Sequence, residues 1–161
     1  MKRNAIREDV LGFALPALSV YIAGMVVSGW DLITHLGRLG MHSLQNIVGL
    51  ALIVCGLAVA LVAALTLRRF YSSTLVIRED HQLITHGVYR FTRHPIYLGA
   101  LMVCIGVPVY ASSLLGLLIM LALMPIVLNR IKMEERMLTA EFGDEHRRYK
   151  EATSKLIPFI Y

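Results

Sequence analysis

Three stretches of this 161-residue sequence contain no Asp, Glu, Lys or Arg: residues 10–30, 39–67 and 95–129, which are 21, 29 and 35 residues long. About 20 apolar residues cross a bilayer as a helix, so each of the first two fits one span. The third would form a rod of about 52 Å at 1.5 Å per residue, against a hydrocarbon core of about 30 Å. Tilt does not absorb that difference. The middle of the stretch also holds turn-formers, Pro108, Tyr110, Ser112 and Ser113. A hairpin of two shorter helices is therefore expected, giving spans at about 10–30, 44–67, 95–109 and 112–132.

A soluble domain has no room for this much apolar surface. Hydrophobic residues make up 57% of the chain and charged ones 17%, with a mean hydropathy of +0.63. A sphere of 18.0 kDa has too little interior to hide them. The same composition excludes disorder. The net charge of +5 invites a nucleic-acid reading, but the bases are sorted by topology rather than gathered into one patch. With both termini inside, 15 of the 16 Lys and Arg residues fall on the cytoplasmic side and only Arg38 outside, as the positive-inside rule requires. Merging the last two spans would carry the seven bases from Arg130 onward to the wrong side. The expected fold is an all-α integral membrane protein: four transmembrane helices, N-in and C-in, one domain over 1–161, and no nucleic-acid partner.

Cys55 and Cys104 lie inside apolar runs without CxxC spacing or nearby histidines. Neither a zinc site nor a redox pair is indicated, and no metal is expected. The first apolar run is too long for a secretory h-region, so it reads as a retained span. Pro16 and Pro125 fall within spans, where each removes a backbone donor and favours a kink. Gly24, Gly49, Gly56, Gly99, Gly106 and Gly116 are small enough for close helix contacts.

Chemistry concentrates in two segments, the loop 68–94 and the tail 130–161. The loop alternates apolar and polar residues at His81, Gln82, Leu83, Ile84 and Thr85, then turns at Gly87. Its end is sharper. Pro95 suits the first turn of a helix, which places His94 at the cap with Arg93 beside it. A helix N-terminus with a cation nearby is an anion site. The plainer alternative makes Tyr89, Tyr97 and Arg93 membrane-interface anchors. At the other segment, Arg130 and Glu134 stand four apart and share a helix face, while Glu135 is rotated by about 100°. A solvated ion pair is the plain reading here. Depth favours a functional one, because Arg130 sits at the hydrocarbon edge, where an ionised group needs a partner or a wet cavity. The tail reads as a helix over 134–153, broken at Gly143 or Pro158.

These residues carry a resemblance. THGVYRFTRHPIYLG, a hydrophobic hairpin, then RIKMEERML, FGDEHRRY and LIPFI resemble the isoprenylcysteine carboxyl methyltransferase family. The related phospholipid N-methyltransferases share the RHPxY and EE elements. The likeness covers about residues 74–161, with the motifs in order. It implies an S-adenosylmethionine site in a cytoplasmic pocket built from segments 74–97 and 130–161, with a lipid or prenylated acceptor arriving from the bilayer. Carried over, His81, Gln82, Leu83 and Ile84, then Tyr89, His94, Pro95, Ile96 and Tyr97, line the cofactor. Glu134 holds one of its polar groups, and Arg130 faces the substrate. Glu135 is a candidate base, useful only if the acceptor is an amine.

Physical chemistry fits that assignment. The cofactor's carboxylate suits a helix N-terminus, its amine suits a glutamate, and its adenine or sulfonium suits aromatic rings. A carboxylate acceptor is already a nucleophile at neutral pH and needs no base. Two alternatives stand beside this reading. One is an NADPH-dependent membrane reductase related to sterol reductases. The other is a non-catalytic membrane scaffold in which the motifs are structural.

Overall fold

The computed structural model describes residues 10–35, 44–67, 83–158 and 160. Their regular structure is helical, with one isolated parallel bridge between Thr92 and Ser154. A π-helical turn (Val10–Ala14) leads into α1 (Leu15–His35), followed by α2 (Leu44–Leu67). A short 3-10 turn (Gly87–Arg90) precedes α3 (Pro95–Tyr110). Then come α4 (Leu114–Leu121), α5 (Leu123–Phe142) and α6 (Asp144–Ala152). Among the described residues, three helices are long and apolar enough to cross a membrane: Gly12–Thr34, Leu44–Leu67 and Leu114–Phe142. The 16-residue α3 is equally apolar but shorter. Leu50, Val54, Leu57, Leu61 and Leu65 of α2 all point outward. Such a surface is stable only against lipid or another protein.

The helices α2 and α3 run side by side, and glycine sets their separation. A Cβ on Gly56 would lie 2.7 Å from the carbonyl oxygen of Gly99, and one on Gly106 would lie 2.9 Å from that of Gly49. Within each helix the two glycines are seven residues apart, so each helix offers the other a stripe of bare backbone. At the end of α3, the side-chain amide of Asn46 donates to the Tyr110 carbonyl at 2.9 Å, and that of Gln45 to the Val109 carbonyl at 3.2 Å. Carbonyls left over at a helix end need such partners, most of all in an apolar medium.

The 35-residue apolar stretch turns at residues 111–113, where Ser112 takes a positive φ of 54°. Ser113 caps α4, accepting from the Gly116 amide at 3.0 Å while donating to the Asp31 carboxylate at 2.5 Å. The span that follows is interrupted at Ala122, between α4 and α5. Pro125 explains the break, since it cannot donate one turn back. Gly24 and Gly116 bring α1 against this span; a Cβ on Gly24 would collide with Met120. Gly143, at φ 52° and ψ −121°, ends α5 and starts α6. The tail helix expected over 134–153 thus divides at Gly143.

Candidate active site

Pro95 opens α3, and His94 occupies its cap position without any side-chain cap. His94 is only 4% exposed, with its ring 5.8 Å from that of Tyr97. The Tyr97 hydroxyl donates to Oε2 of Glu134 at 3.0 Å. This contact joins the RHPIY segment to the EE segment, 37 residues later. His94, Tyr97 and Glu134 thus stand in a row. Arg130 stands one helical turn before Glu134. It is 3% exposed, and its guanidinium lies 4.7 Å from the centroid of the Phe13 ring. The first span therefore contributes a wall to the site.

Glu135 faces elsewhere. Its Oε1 accepts from Arg93 Nε at 2.9 Å and lies 3.6 Å from His94 Nε2; its Oε2 lies 3.7 Å from Lys150 Nζ. Nε2 of His94 makes no hydrogen bond among the described residues. Arg93 extends further, donating from Nη1 to the Lys150 carbonyl at 2.9 Å and also to the Thr153 carbonyl. The loop before α3 is stitched to the tail in parallel. Tyr149 Oη donates to the Tyr89 carbonyl at 2.6 Å, and Thr92 Oγ1 to the Leu156 carbonyl at 2.9 Å. Burial pushes the Tyr149 phenol up to about 12. His146 is wholly buried, with Nδ1 2.8 Å from Thr139 Oγ1. Burial lowers its pKa below the ordinary histidine value.

Of the residues singled out from sequence, His94 and Tyr97 at the start of α3 meet Glu135 and Glu134 within α5. Arg130 lies one turn earlier on α5, Tyr89 is tied to Tyr149 of α6, and Pro95 and Ile96 are buried and half-buried. Leu83 and Ile84 are half-buried just before the 3-10 turn. His81 and Gln82 lie outside the described residues. Phe13, Thr139, His146, Lys150 and Thr153 were not singled out. Aromatic Phe13 sits in an unbroken apolar run, and nothing in its spacing points to Arg130. The tail polar residues read as a solvated helix, because Thr139 and His146 meet only across the turn at Gly143, and Lys150 and Thr153 meet Arg93 from 57 and 60 positions away.

Residues 44–145 match the family model for phospholipid methyltransferase. The chain belongs to that family. Within the family, the likeness to isoprenylcysteine carboxyl methyltransferases is borne out. The chain is 34% identical over 116 residues to the probable protein-S-isoprenylcysteine O-methyltransferase of Oryza sativa subsp. indica, covering 70% of this chain and 61% of that one. Its fold matches a solved structure of the eukaryotic intramembrane Ras methyltransferase, isoprenylcysteine carboxyl methyltransferase, with a TM-score of 0.76 at 30% identity. That match covers 87% of this chain and 52% of the solved one. A shorter match, 42% identical over 73 residues, is to methanethiol S-methyltransferase 1 of Bradyrhizobium diazoefficiens, covering 45% of this chain and 25% of that protein. The chain thus spans about three-fifths of the rice relative's length and about half of the solved chain. With three apolar helices of spanning length and an intramembrane structural relative, the chain is a membrane protein.

Proposed function

We propose that this chain is an integral-membrane methyltransferase that uses S-adenosylmethionine and acts on a carboxylate of a lipid-like or prenylated acceptor. The observation that carries the reading is the Tyr97–Glu134 contact, which makes one site of two motifs distant in sequence. Family membership and the named relatives support the reaction class. Neither favours the reductase or scaffold alternatives.

The residues present suit the donor. Among the described residues no side chain caps the start of α3, so its first backbone amides suit a carboxylate, with His94 Nε2 making no hydrogen bond and lying 3.6 Å from Glu135 Oε1. Glu134 suits an ammonium, and Tyr97 offers an aromatic face. Pro95 and Ile96 add the apolar wall, and Tyr89, Leu83 and Ile84 are read onto the same wall from the family resemblance, as His81 and Gln82 are from sequence alone. The cofactor supplies a methyl group on a cationic sulfur. Arg130 aligns an anionic acceptor, and its burial beneath Phe13 keeps water from the reaction path. A carboxylate acceptor is ionised at neutral pH, so the enzyme works through orientation.

In this reading the membrane holds four spans, with α3 as the short one, both termini cytoplasmic, and segments 74–97 and 130–161 forming the donor site on that side. A short span is accommodated by local thinning or by packing on its neighbours. A thiol acceptor is the second reading, favoured by the match to a methanethiol S-methyltransferase.

Purified protein in lipid discs tests the proposal. Titration calorimetry is expected to show S-adenosylmethionine binding that disappears in Glu134→Ala. Arg130→Ala is expected to bind the donor normally and to lose turnover by about 100-fold or more, the signature of a group that acts on the acceptor. Equal donor binding by wild type and Glu134→Ala sinks the assignment of Glu134. Labelled donor offered with prenylcysteine, fatty-acid, aminophospholipid and thiol acceptors identifies the substrate class.

A further inference from the structure

Adjacent acidic residues invite one shared role, yet the two glutamates of the EE pair face different partners. Glu134 meets Tyr97. Glu135 is 7% exposed and surrounded by Arg93, His94 and Lys150. Arg93 is also the only described side chain that reaches from the start of α3 to both α5 and the end of α6. Its Nε engages Glu135, and its Nη1 donates to the carbonyls of Lys150 and Thr153 and lies 3.3 Å from Thr153 Oγ1. Those carbonyls close α6, where a helix leaves its acceptors unpaired and its dipole negative. Arg93 therefore caps a helix that begins 51 residues after it in the chain. Its planar fork suits such divided duty in a way that a lysine ammonium does not.

We infer that Arg93 and Glu135 are positioning residues: together they clamp the tail 144–156 onto the start of α3 and hold His94 in place, without contacting donor or acceptor. The clamp acts beside the Thr92–Ser154 bridge and the Tyr149–Tyr89 hydrogen bond. Glu135 lies 3.6 Å from His94 Nε2, so holding Glu135 keeps His94, Tyr97 and Glu134 in register. A carboxylate committed to Arg93 and Lys150, with the His94 ring 3.6 Å away, is poorly placed to take a proton from a substrate. Removing one partner leaves the other charge buried and unpaired, which is the costly change.

The inference rests on the proposed methyl-transfer site, so its first test is independent of the donor. Hydrogen–deuterium exchange in lipid discs, without S-adenosylmethionine, reads the protection of peptides covering 144–156. Arg93→Ala is expected to speed their exchange by at least about tenfold, as loss of a buried charged pair does, while α2 peptides stay at the wild-type rate. Arg93→Lys keeps the charge but not the fork, protecting the variant from collapse, and is expected to fall between the two. Wild-type protection in both variants overturns the clamp. The second test separates positioning from chemistry. Glu135→Gln keeps an oxygen for Arg93 and is expected to bind donor within about threefold of wild type, whereas Glu135→Ala weakens binding by about tenfold or more. If Glu135 were a ligand to the donor's ammonium, Gln and Ala would lose donor binding alike, and if it were a proton acceptor, Glu135→Gln would bind donor normally yet lose turnover as fully as Glu135→Ala; either result overturns the inference. Should wild type bind no S-adenosylmethionine, the proposed function fails and the exchange result alone decides the clamp.

Discussion

The Tyr97 hydroxyl ties the two motifs together through Glu134, beside the Arg93–Glu135 pair. Tyr97→Phe removes one hydrogen bond to a carboxylate, worth about 1.5–3 kcal/mol. Calorimetry is therefore expected to show S-adenosylmethionine affinity reduced by about 10- to 100-fold, with the thermal midpoint little changed. His146 gives a pH signature of another kind. Its native pKa lies below the ordinary value of 6.5, so below that pH the unfolded chain binds a proton that the native chain does not. Its contribution is complete above pH 6.5 and is lost as pH falls toward the depressed native value, with a slope of at most about 1.4 kcal/mol per pH unit. Thermal unfolding of His146→Gln between pH 7.5 and 5 is expected to show a shallower acid loss than wild type. At this scale the sequence identified the atoms better than their roles. Arg130 and Glu134 were legible together because helical spacing places them on one face. Glu135 was not, since its partner Arg93 lies 42 positions earlier and only the tertiary fold brings the two into contact.

At the scale of elements, the contact between α2 and α3 depends on missing side chains. A Cβ on Gly99 would stand 2.5 Å from the Gly56 carbonyl oxygen, whereas one on Gly29 in α1 meets nothing within 4 Å. Gly99→Ala is expected to cost about 1–3 kcal/mol through overpacking. Gly29→Ala is expected to be neutral or to stabilise by up to about 1 kcal/mol through helix propensity. Unfolding midpoints in a single detergent compare the two, and equal effects would remove the close-approach argument. Helix existence was readable from the charge-free runs, and the turn at 111–113 from length against bilayer thickness. The pairing of Gly49 with Gly106 and of Gly56 with Gly99 was not, because small residues mark a contact surface without naming its partner. The capping of α3 by Gln45 and Asn46 was hidden for the same reason: both looked like polar residues at the start of a span.

For the whole molecule, the distribution of basic residues makes a directional claim that geometry alone does not. In the proposed orientation the 111–113 turn and the tail lie on opposite sides. Single cysteines introduced at Ser112 and Glu151, both exposed, in a background lacking Cys55 and Cys104, test this with an impermeant maleimide on intact cells. Ser112→Cys is expected to label directly, and Glu151→Cys only after permeabilisation. Labelling of both from one side would dismantle the four-span arrangement and move the donor site with it. Charge counting reached this orientation without coordinates, since the rule acts on loops rather than on packing. It could not reach the wall that Phe13 provides to Arg130, which depends on how α1 leans across the bundle.

Gly143 directs the tail, and its surroundings make the reason unusually clean. No atom lies within 4 Å of where a Cβ would stand, yet φ 52° with ψ −121° is a conformation that L-residues adopt at a cost of about 1–3 kcal/mol. The objection to a side chain at this position is thus one of handedness, not of room. The seat of the tail over the proposed methyl-transfer site rests on the one achiral α-carbon between α5 and α6.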